Sequence, residues 1–475
     1  MSRSLETLLA DIEAAPDGPQ IAALFDLDRT LIDGFSVQDV IVERARTGDM
    51  GAGEIGRTLR DVASYATGRL PFNEFVANSA KEMAGRSHAE TMNFGYDVFA
   101  RRVAQRIYPE SRRLVEAHRA KGHTLAVVSS ATPYQVEPVA QDLGIVHQLC
   151  TQLEVVDGLC TGGIVEPPCY GEGKLVAARA LGERIGFDVA DAFFYSDGYE
   201  DVPLLEAVGN PHTLNPDSRL TRHARAQGWP IARFENRKRP GVEDMVRTGL
   251  AYATLSTAGT LAAADFLLNR DIRHARNLAS AVWGELATAA LDIRVDVRGE
   301  DHLWSHRPAV FVFNHQSQLD AIVMARLLRQ DFTGIAKKEV KSQPFVGQMF
   351  QAAGAIFIDR ADRTKAIAAM KPAVDALRSG TSIIIAPEGT RSPTRALQPF
   401  KKGAFHMAMQ AGVPMVPVVL HNTSDFMPKG SFFSHRGTVE VEVLEPIDTS
   451  TWARETINEH VEDVRQRYLV ALGQD

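Results

Sequence analysis

The residues of this 475-residue chain best suited to chemistry fall into two groups. In the first half, "DLDRT" supplies Asp26, Asp28 and Thr30, "VSSAT" supplies Ser129, "GEGK" supplies Lys174, and "SDGYED" supplies Asp197 and Asp201. Asp26, Asp28 and Asp197 form a dense negative set of the kind a hard divalent cation neutralises, and Mg²⁺ suits oxygen donors. One carboxylate of such a set can attack a phosphorus centre while a second handles the leaving-group proton. Ser129 and Lys174 are the residue types that hold phosphoryl oxygens and offset charge developing on them. An Asp-x-Asp pair alone is an ordinary turn or cap. The ordered set is what points to phosphoryl chemistry.

The second group centres on "NHQSQLD", residues 314–320, which follows the apolar run "PAVFVF". Five positions on one α-helix are roughly 140° of rotation, so His315 and Asp320 would point apart on a continuous helix. On one strand they would face opposite sides. They meet only where the chain changes structure between them, and a histidine held by a carboxylate at such a junction is a general base. This half has no cysteine and no GxSxG elbow, so the base has no evident protein nucleophile to activate. A substrate hydroxyl takes that role. Arg360, Arg391 and nearby Lys337, Lys338, Lys401 and Lys402 supply cations suited to a phosphate on the same substrate.

Parallel strands are the elements that must position both groups. "IAALF", "TLAVV" and "AFFYS" are β-type runs that each pass into one of the polar motifs, with helix-like segments between them. Functional residues of open parallel sheets collect beyond the carboxyl ends of the strands, where all of these lie. In the second half "LDIRVDVRG", "PAVFVF", "GAIFIDR", "SIIIAPEGTRS" and "VPMVPVVL" read as further strands. The expected class is therefore α/β. Residues 1–240 form a Rossmann-like parallel sheet with a helical cap over about 34–107. A linker and helical segment occupies 241–290, and an α/β domain occupies 291–475. The charged, Pro/Gly-containing "ENRKRPGVED", 235–244, is the linker candidate.

Length alone calls for two or more domains. A net charge of −7 argues against non-specific nucleic-acid binding. Cys150, Cys160 and Cys169 lack metal or redox spacing and read as reduced, packed thiols. The charged N-terminus does not read as a signal peptide. The stretch "TGLAYATLSTAGTLAAA", 248–264, is uncharged but rich in small residues, and a spanning helix needs about 20 predominantly apolar ones. A packed or interfacial helix is expected there. Arg270, Arg273 and Arg276 follow it at three-residue spacing, placed to rest on anionic headgroups or simply on a solvated face.

Over roughly residues 18–240 these motifs resemble the haloacid dehalogenase superfamily, in its phosphoserine-phosphatase-like branch. The resemblance implies Asp26 as nucleophile, Asp28 as general acid/base and Thr30 supporting their loop. It implies Ser129 and Lys174 on the phosphate, and Mg²⁺ held by Asp26, Asp28 and Asp197 with Asp201 in support. Over about 250–475 the chain is similar to glycerolipid acyltransferases, nearest the 1-acylglycerol-3-phosphate (lysophosphatidic acid) acyltransferases. That implies His315 and Asp320 in catalysis, Arg360 on glycerophosphate, and Glu388, Gly389 and Arg391 of "PEGTRS" in the acceptor site. "VPMVP" would serve the acyl site, and Ala386 departs from the phenylalanine of many relatives. The expectation is a fusion enzyme taking acyl-CoA and lysophosphatidic acid at the cytoplasmic face of a membrane, peripheral or monotopic, with no nucleic-acid partner. Its phosphatase would act on a lysophosphatidic-acid-type phosphomonoester. A small soluble substrate such as phosphoserine, a non-catalytic regulatory phosphatase-like domain and a membrane scaffold stay open as alternatives.

Overall fold

The computed structural model of the chain describes residues 4–66, 69–234, 240–342, 347, 351, 354–358 and 370–474. Arg360, expected on the glycerophosphate, lies outside the described residues. The chain divides into two compact units, Met1–Arg239 and Pro240–Asp475.

Among the described residues the first unit is built on a six-stranded sheet. Its strands are β1 (Ala22–Phe25), β2 (Thr124–Ser129), β3 (His147–Cys150), β6 (Phe193–Ser196), β7 (Asn210–Leu214) and β8 (Ile231–Ala232), ordered β3-β2-β1-β6-β7-β8. All neighbours pair in parallel. Alternation along each strand divides the core into two layers. Ala23, Phe25, Val127, Phe193 and Tyr195 pack on one face, and Ala22, Leu24, Ala126, Val128 and Phe194 on the other. The chain leaves β1 for β2 on one side and later returns to β6 on the other. That reversal opens a crevice at the carboxyl end of β1.

Helices Ser36–Thr47, Ala52–Ala66, Phe72–Lys81 and His88–Val98 lie between β1 and β2, in the span expected to form a cap. A hairpin that the sequence pattern does not announce, β4 (Leu153–Val156) and β5 (Leu159–Ile164), braces them. Gly85 N–H donates to the Cys160 carbonyl at 2.8 Å, Cys160 N–H to Arg86 at 2.9 Å, and His88 N–H to Gly158 at 2.9 Å. On the other side Phe72 stacks on Tyr170, with ring centroids 3.8 Å apart.

The second unit opens with two long helices, Val242–Asn269 and Ile272–Ala290. The first extends well beyond the uncharged stretch in both directions. No helix among the described residues is long and apolar enough to cross a membrane. The seven-stranded sheet that follows comprises β9 (Ile293–Arg298), β10 (Val310–Phe313), β11 (Phe332–Lys337), β12 (Ile356–Ile358), β13 (Ser382–Ile385), β14 (Met415–Leu420) and β15 (Gly437–Val443). Its order is β12-β11-β13-β10-β14-β15-β9, with the β14–β15 pair antiparallel. β10 is central, buried along its whole length, with Phe311 facing one core layer and Val310 and Val312 the other.

Candidate functional site

In the first unit the three motif-bearing strands are neighbours, so Asp26 after β1, Ser129 at the end of β2 and Asp197 after β6 emerge side by side. Asp26 continues the ladder by donating its N–H to the Tyr195 carbonyl at 2.9 Å. Lys174 reaches this point from the first turn of helix Glu172–Ile185, which closely approaches the preceding loop. A Cβ at Gly173 would stand 2.0 Å from the Pro168 carbonyl oxygen, so "GEGK" needs its second glycine there. Lys174 Nζ then donates to Asp26 Oδ1 and to Asp201 Oδ2, both at 2.7 Å. Asp201 Oδ2 also accepts from Ser196 Oγ at 2.7 Å.

Burial dominates the electrostatics. It pushes the Asp26 carboxyl up to about 7 against the pull of Lys174, with repulsion from Asp201 and Asp28 adding to the rise. Burial, with repulsion from Asp26, carries Asp197 well above the ordinary range. Asp28 is raised by burial and partly restrained by Ser36, whose backbone N–H donates to its Oδ1 at 2.7 Å. Burial pulls Lys174 down, but Asp201 and Asp26 together outweigh it and hold the ammonium well above its usual value.

A hard cation fits this donor set in charge and in type. The buried carboxylates raise one another, and Asp201 Oδ1 is buried without a hydrogen-bond partner among the described residues. The described residues hold no cluster of three acidic, histidine or cysteine groups closed around a metal position, so the fit is chemical and not that of a formed cage. Ser129 is buried, its Oγ accepting the Ala131 N–H at 3.2 Å. Thr30 is buried and offers its carbonyl to Ser111 Oγ at 2.6 Å, fixing the loop that carries both aspartates.

Three participants escape a reading of the sequence. Arg29, in the left-handed region at φ 56°, sets its guanidinium 3.2 Å from Asp197 Oδ2. Ser36, the first residue of helix Ser36–Thr47, holds Asp28, and Gln135 Nε2 holds Ser36 Oγ at 3.0 Å. Nothing in their types or local spacing marks them, because each contact joins separate segments.

In the second unit the chain turns from β10 into helix Leu319–Leu328, and Asp320 lies in that helix's first turn. This junction brings the two residues together. His315 Nδ1 donates to Asp320 Oδ2 at 2.7 Å, which leaves the lone pair on Nε2. The fully buried Asp320 also accepts the N–H groups of Gln316 and Ser317, each at 2.9 Å, and the hydroxyl of Thr423 at 2.5 Å. Thr423 follows β14 and is a partner that sequence spacing does not expose.

The "PEGTRS" loop clamps the backbone of His315 from both directions. Glu388 Oε1 accepts the His315 N–H at 2.6 Å, and the Ser392 N–H donates to the His315 carbonyl at 2.7 Å. Glu388 Oε2 accepts the Gln398 N–H at 3.0 Å. Expected in the acceptor site, Glu388 is buried with both oxygens on backbone donors, one of them the N–H of His315. Burial pushes it up to about 7. Gly389 turns the loop at φ 77°, where a Cβ would stand 2.7 Å from Lys401 Nζ. Arg391 Nη1 is buried with no hydrogen-bond partner among the described residues.

Family models match two parts of the chain: haloacid dehalogenase-like hydrolase at residues 23–206 and acyltransferase at residues 294–421. The "1-acyl-sn-glycerol-3-phosphate acyltransferase" of Saccharomyces cerevisiae is 38% identical over 186 residues, 38% of this chain and 61% of that protein. The protein of the same name from Escherichia coli is 33% identical, covering 41% of this chain and 80% of that one. "Phosphoserine phosphatase SerB1" of Mycobacterium tuberculosis is 33% identical over 253 residues, 50% of this chain and 79% of that protein. This chain thus spans less than two thirds of the yeast relative's length.

Proposed function

This chain belongs to the haloacid dehalogenase-like hydrolases through its first unit and to the acyltransferases through its second, and from that premise we propose a bifunctional enzyme of glycerolipid metabolism. The second unit takes an acyl chain from acyl-CoA to lysophosphatidic acid, giving phosphatidate. The acceptor hydroxyl gives its proton to His315 Nε2 as its oxygen attacks the thioester carbonyl. Collapse of the adduct expels the CoA thiolate, which recovers that proton from His315. Asp320 holds the imidazole in the required tautomer and stabilises the imidazolium. Arg391 takes the acceptor's phosphate, with Arg360 assigned the same duty. The observation that carries this reading is the His315–Asp320 pair clamped by the loop that bears Arg391.

The first unit hydrolyses a phosphomonoester. Asp26 attacks phosphorus to form an aspartyl phosphate, and Asp28 protonates the departing alkoxide. Asp28 then takes a proton from the water that cleaves the acyl phosphate. Ser129 and Lys174 hold the phosphoryl oxygens. Asp26, Asp28 and Asp197, with Asp201 in support, would hold Mg²⁺, which would supply neutralisation of this carboxylate set and of the incoming phosphate. The substrate is a lysophosphatidic-acid-type phosphomonoester. A small soluble one such as phosphoserine is the second reading, favoured by the cap that the β4–β5 hairpin braces and by the name of the mycobacterial relative.

Both lipid substrates call for a membrane surface, and the paired helices at 242–290 supply one way onto it. Leu261, Leu267, Leu268 and Ile272 are exposed around the turn between them, beside Arg270 and Arg273. We place the enzyme peripherally on the cytoplasmic face. Sedimentation with anionic liposomes should fall when Leu267 and Leu268 are both changed to Ser; unchanged sedimentation would remove this contact. The catalytic reading is tested by giving the purified protein lysophosphatidic acid, oleoyl-CoA and Mg²⁺ and identifying every lipid product by mass spectrometry. Phosphatidate together with a dephosphorylated lipid is expected. Phosphatidate alone, with phosphate released from phosphoserine, would favour the second reading of the first unit.

A further inference from the structure

Outside both candidate sites, the first unit gathers three arginines on one buried carboxylate. Glu43 lies in helix Ser36–Thr47, with its side chain only 3% exposed. Its Oε1 accepts from Arg46 Nε at 3.0 Å, from Arg46 Nη2 at 2.6 Å and from Arg101 Nη1 at 3.2 Å. Its Oε2 accepts from Arg102 Nε at 2.9 Å. Arg46 belongs to the same helix, whereas Arg101 and Arg102 come from a π-helical turn, Phe99–Val103. A π turn, closed by i→i+5 bonds, rotates successive residues through a smaller angle than an α-helix does, so two consecutive arginines converge on one carboxylate. Arg46 above all, then Arg102, hold Glu43 down to about 2 against the opposing effect of burial.

Three guanidinium groups face one carboxylate, an excess of two positive charges, and none of the three pairs with another carboxylate among the described residues. A guanidinium carries five N–H donors. Arg46 Nη1, Arg101 Nε and Nη2, and both terminal nitrogens of Arg102 have no hydrogen-bond partner among the described residues. Arg46 and Arg101 are each about half exposed, so these donors open to solvent around a fixed centre. A brace for the helix needs fewer cations. Exposed ion pairs contribute little to stability, and a third arginine on a carboxylate that already holds two adds repulsion among the guanidiniums. An anion seated on their outer donors turns that repulsion into attraction.

We propose that Arg46, Arg101 and Arg102 form an anion site, organised by Glu43, that takes a phosphate group. Guanidinium forks match phosphate oxygens in geometry as well as charge. Glu43 stands seven residues beyond Ser36, about 10 Å along the helix from the residue that holds Asp28, which sets the site apart from the aspartate cluster. The proposal rests on neither activity proposed above. A soluble phosphate compound and an anionic lipid headgroup share this chemistry, and the test separates them.

The test begins with the full wild-type chain. Phenylglyoxal modifies accessible guanidiniums, and peptide mass spectrometry reads each arginine separately. Modification of Arg46 and Arg101 should slow several-fold in saturating inorganic phosphate or with phosphatidylcholine vesicles containing phosphatidic acid, and should not slow with phosphatidylcholine alone. Protection by phosphate assigns a soluble ligand, and protection by the phosphatidic acid vesicles without protection by phosphate assigns a headgroup. Protection by neither overturns the proposal.

The probe concentration that half-protects Arg46 then separates an organised site from a diffuse basic patch. Glu43→Gln adds positive charge, so a diffuse patch would bind the anion more tightly, whereas an organised site should bind it about 10-fold or more weakly. Arg101→Gln should weaken binding by a similar factor. Arg467→Gln, the same charge change in the second unit, should have no effect. Tighter binding in Glu43→Gln, or equal effects of Arg101→Gln and Arg467→Gln, would overturn the proposal. Arg101 is half exposed, so Arg101→Gln decides the matter if Glu43→Gln does not fold.

Discussion

The two candidate sites are built with opposite electrostatics. In the first, several buried carboxylates crowd the ends of β1 and β6, and Lys174 and Arg29 sit among them. Burial lifts Asp26, Asp28 and Asp197 together, so the cluster is held by charge compensation. In the second, the acid beside the base is fully buried yet accepts four hydrogen bonds among the described residues, one of them from His315 and none from lysine or arginine. On the mechanisms proposed for the two sites, the difference is chemical. A site whose own carboxylate attacks phosphorus must keep anions close together and balance them with cations. A site that only borrows a substrate's proton needs a fixed imidazole, and neutral donors suffice to fix it. Removing one group should therefore cost far more in the first site than in the second.

Lys174→Met is the severest test of that contrast. It leaves Asp26 and Asp201 buried without their shared ammonium, at about 3–5 kcal/mol, and abolishes phosphatase turnover. Urea unfolding followed in parallel with phosphate release measures both. A variant unfolding like the wild type would mean that the cluster is not held by charge.

Glu388 is the one place where the second site resembles the first. Burial raises it from near 4.5 to about 7, so between those values the folded unit holds a proton that the unfolded chain has released. Its contribution is full below about pH 4.5 and is lost as pH rises through about 7. Subtracting the unfolding free energy of Glu388→Gln from that of the wild type isolates this group from the raised aspartates. The difference should fall by on the order of 3 kcal/mol between pH 4.5 and pH 8. A flat difference would show that Glu388 titrates normally.

Thr423→Val removes one of the four hydrogen bonds on Asp320. About a 10-fold drop in kcat for acyl transfer is expected, with KM nearly unchanged. Gln135→Ala should have the smallest effect. It frees Ser36 Oγ at the start of helix Ser36–Thr47 and should slow phosphate release by a few-fold, since the Ser36 backbone N–H still holds Asp28.

Positions that end a strand were legible in the sequence. Asp26, Ser129, Asp197 and His315 each follow an apolar run, so local pattern alone puts them at the carboxyl edge of a sheet. Asp320 was legible because five residues and a change of structure leave it one place to go. Lys174 could be placed on a helix start by its flanking glycines. The partners that hold these residues were not legible. Thr423 meets Asp320 across 103 residues, a separation over which periodicity carries no information, and Lys174 could be joined to Asp26 across 148 only through the order of their motifs. Arg29 was hidden differently, since only its left-handed backbone turns it toward Asp197. The β4–β5 hairpin is short and half exposed, and an isolated two-stranded ribbon has little alternation to read.

The central claim is that one chain carries two chemically independent active sites, and reciprocal knockouts test it most directly. Asp26→Asn should lower phosphate release on the order of 10⁴-fold or more and leave phosphatidate formation unchanged. His315→Ala should lower phosphatidate formation by about 10²–10⁴-fold and leave phosphate release unchanged. Mass spectrometry of both products from both variants, beside the wild type, reads the outcome. Loss of both products in either variant, or retention of phosphatidate in His315→Ala, would contradict it.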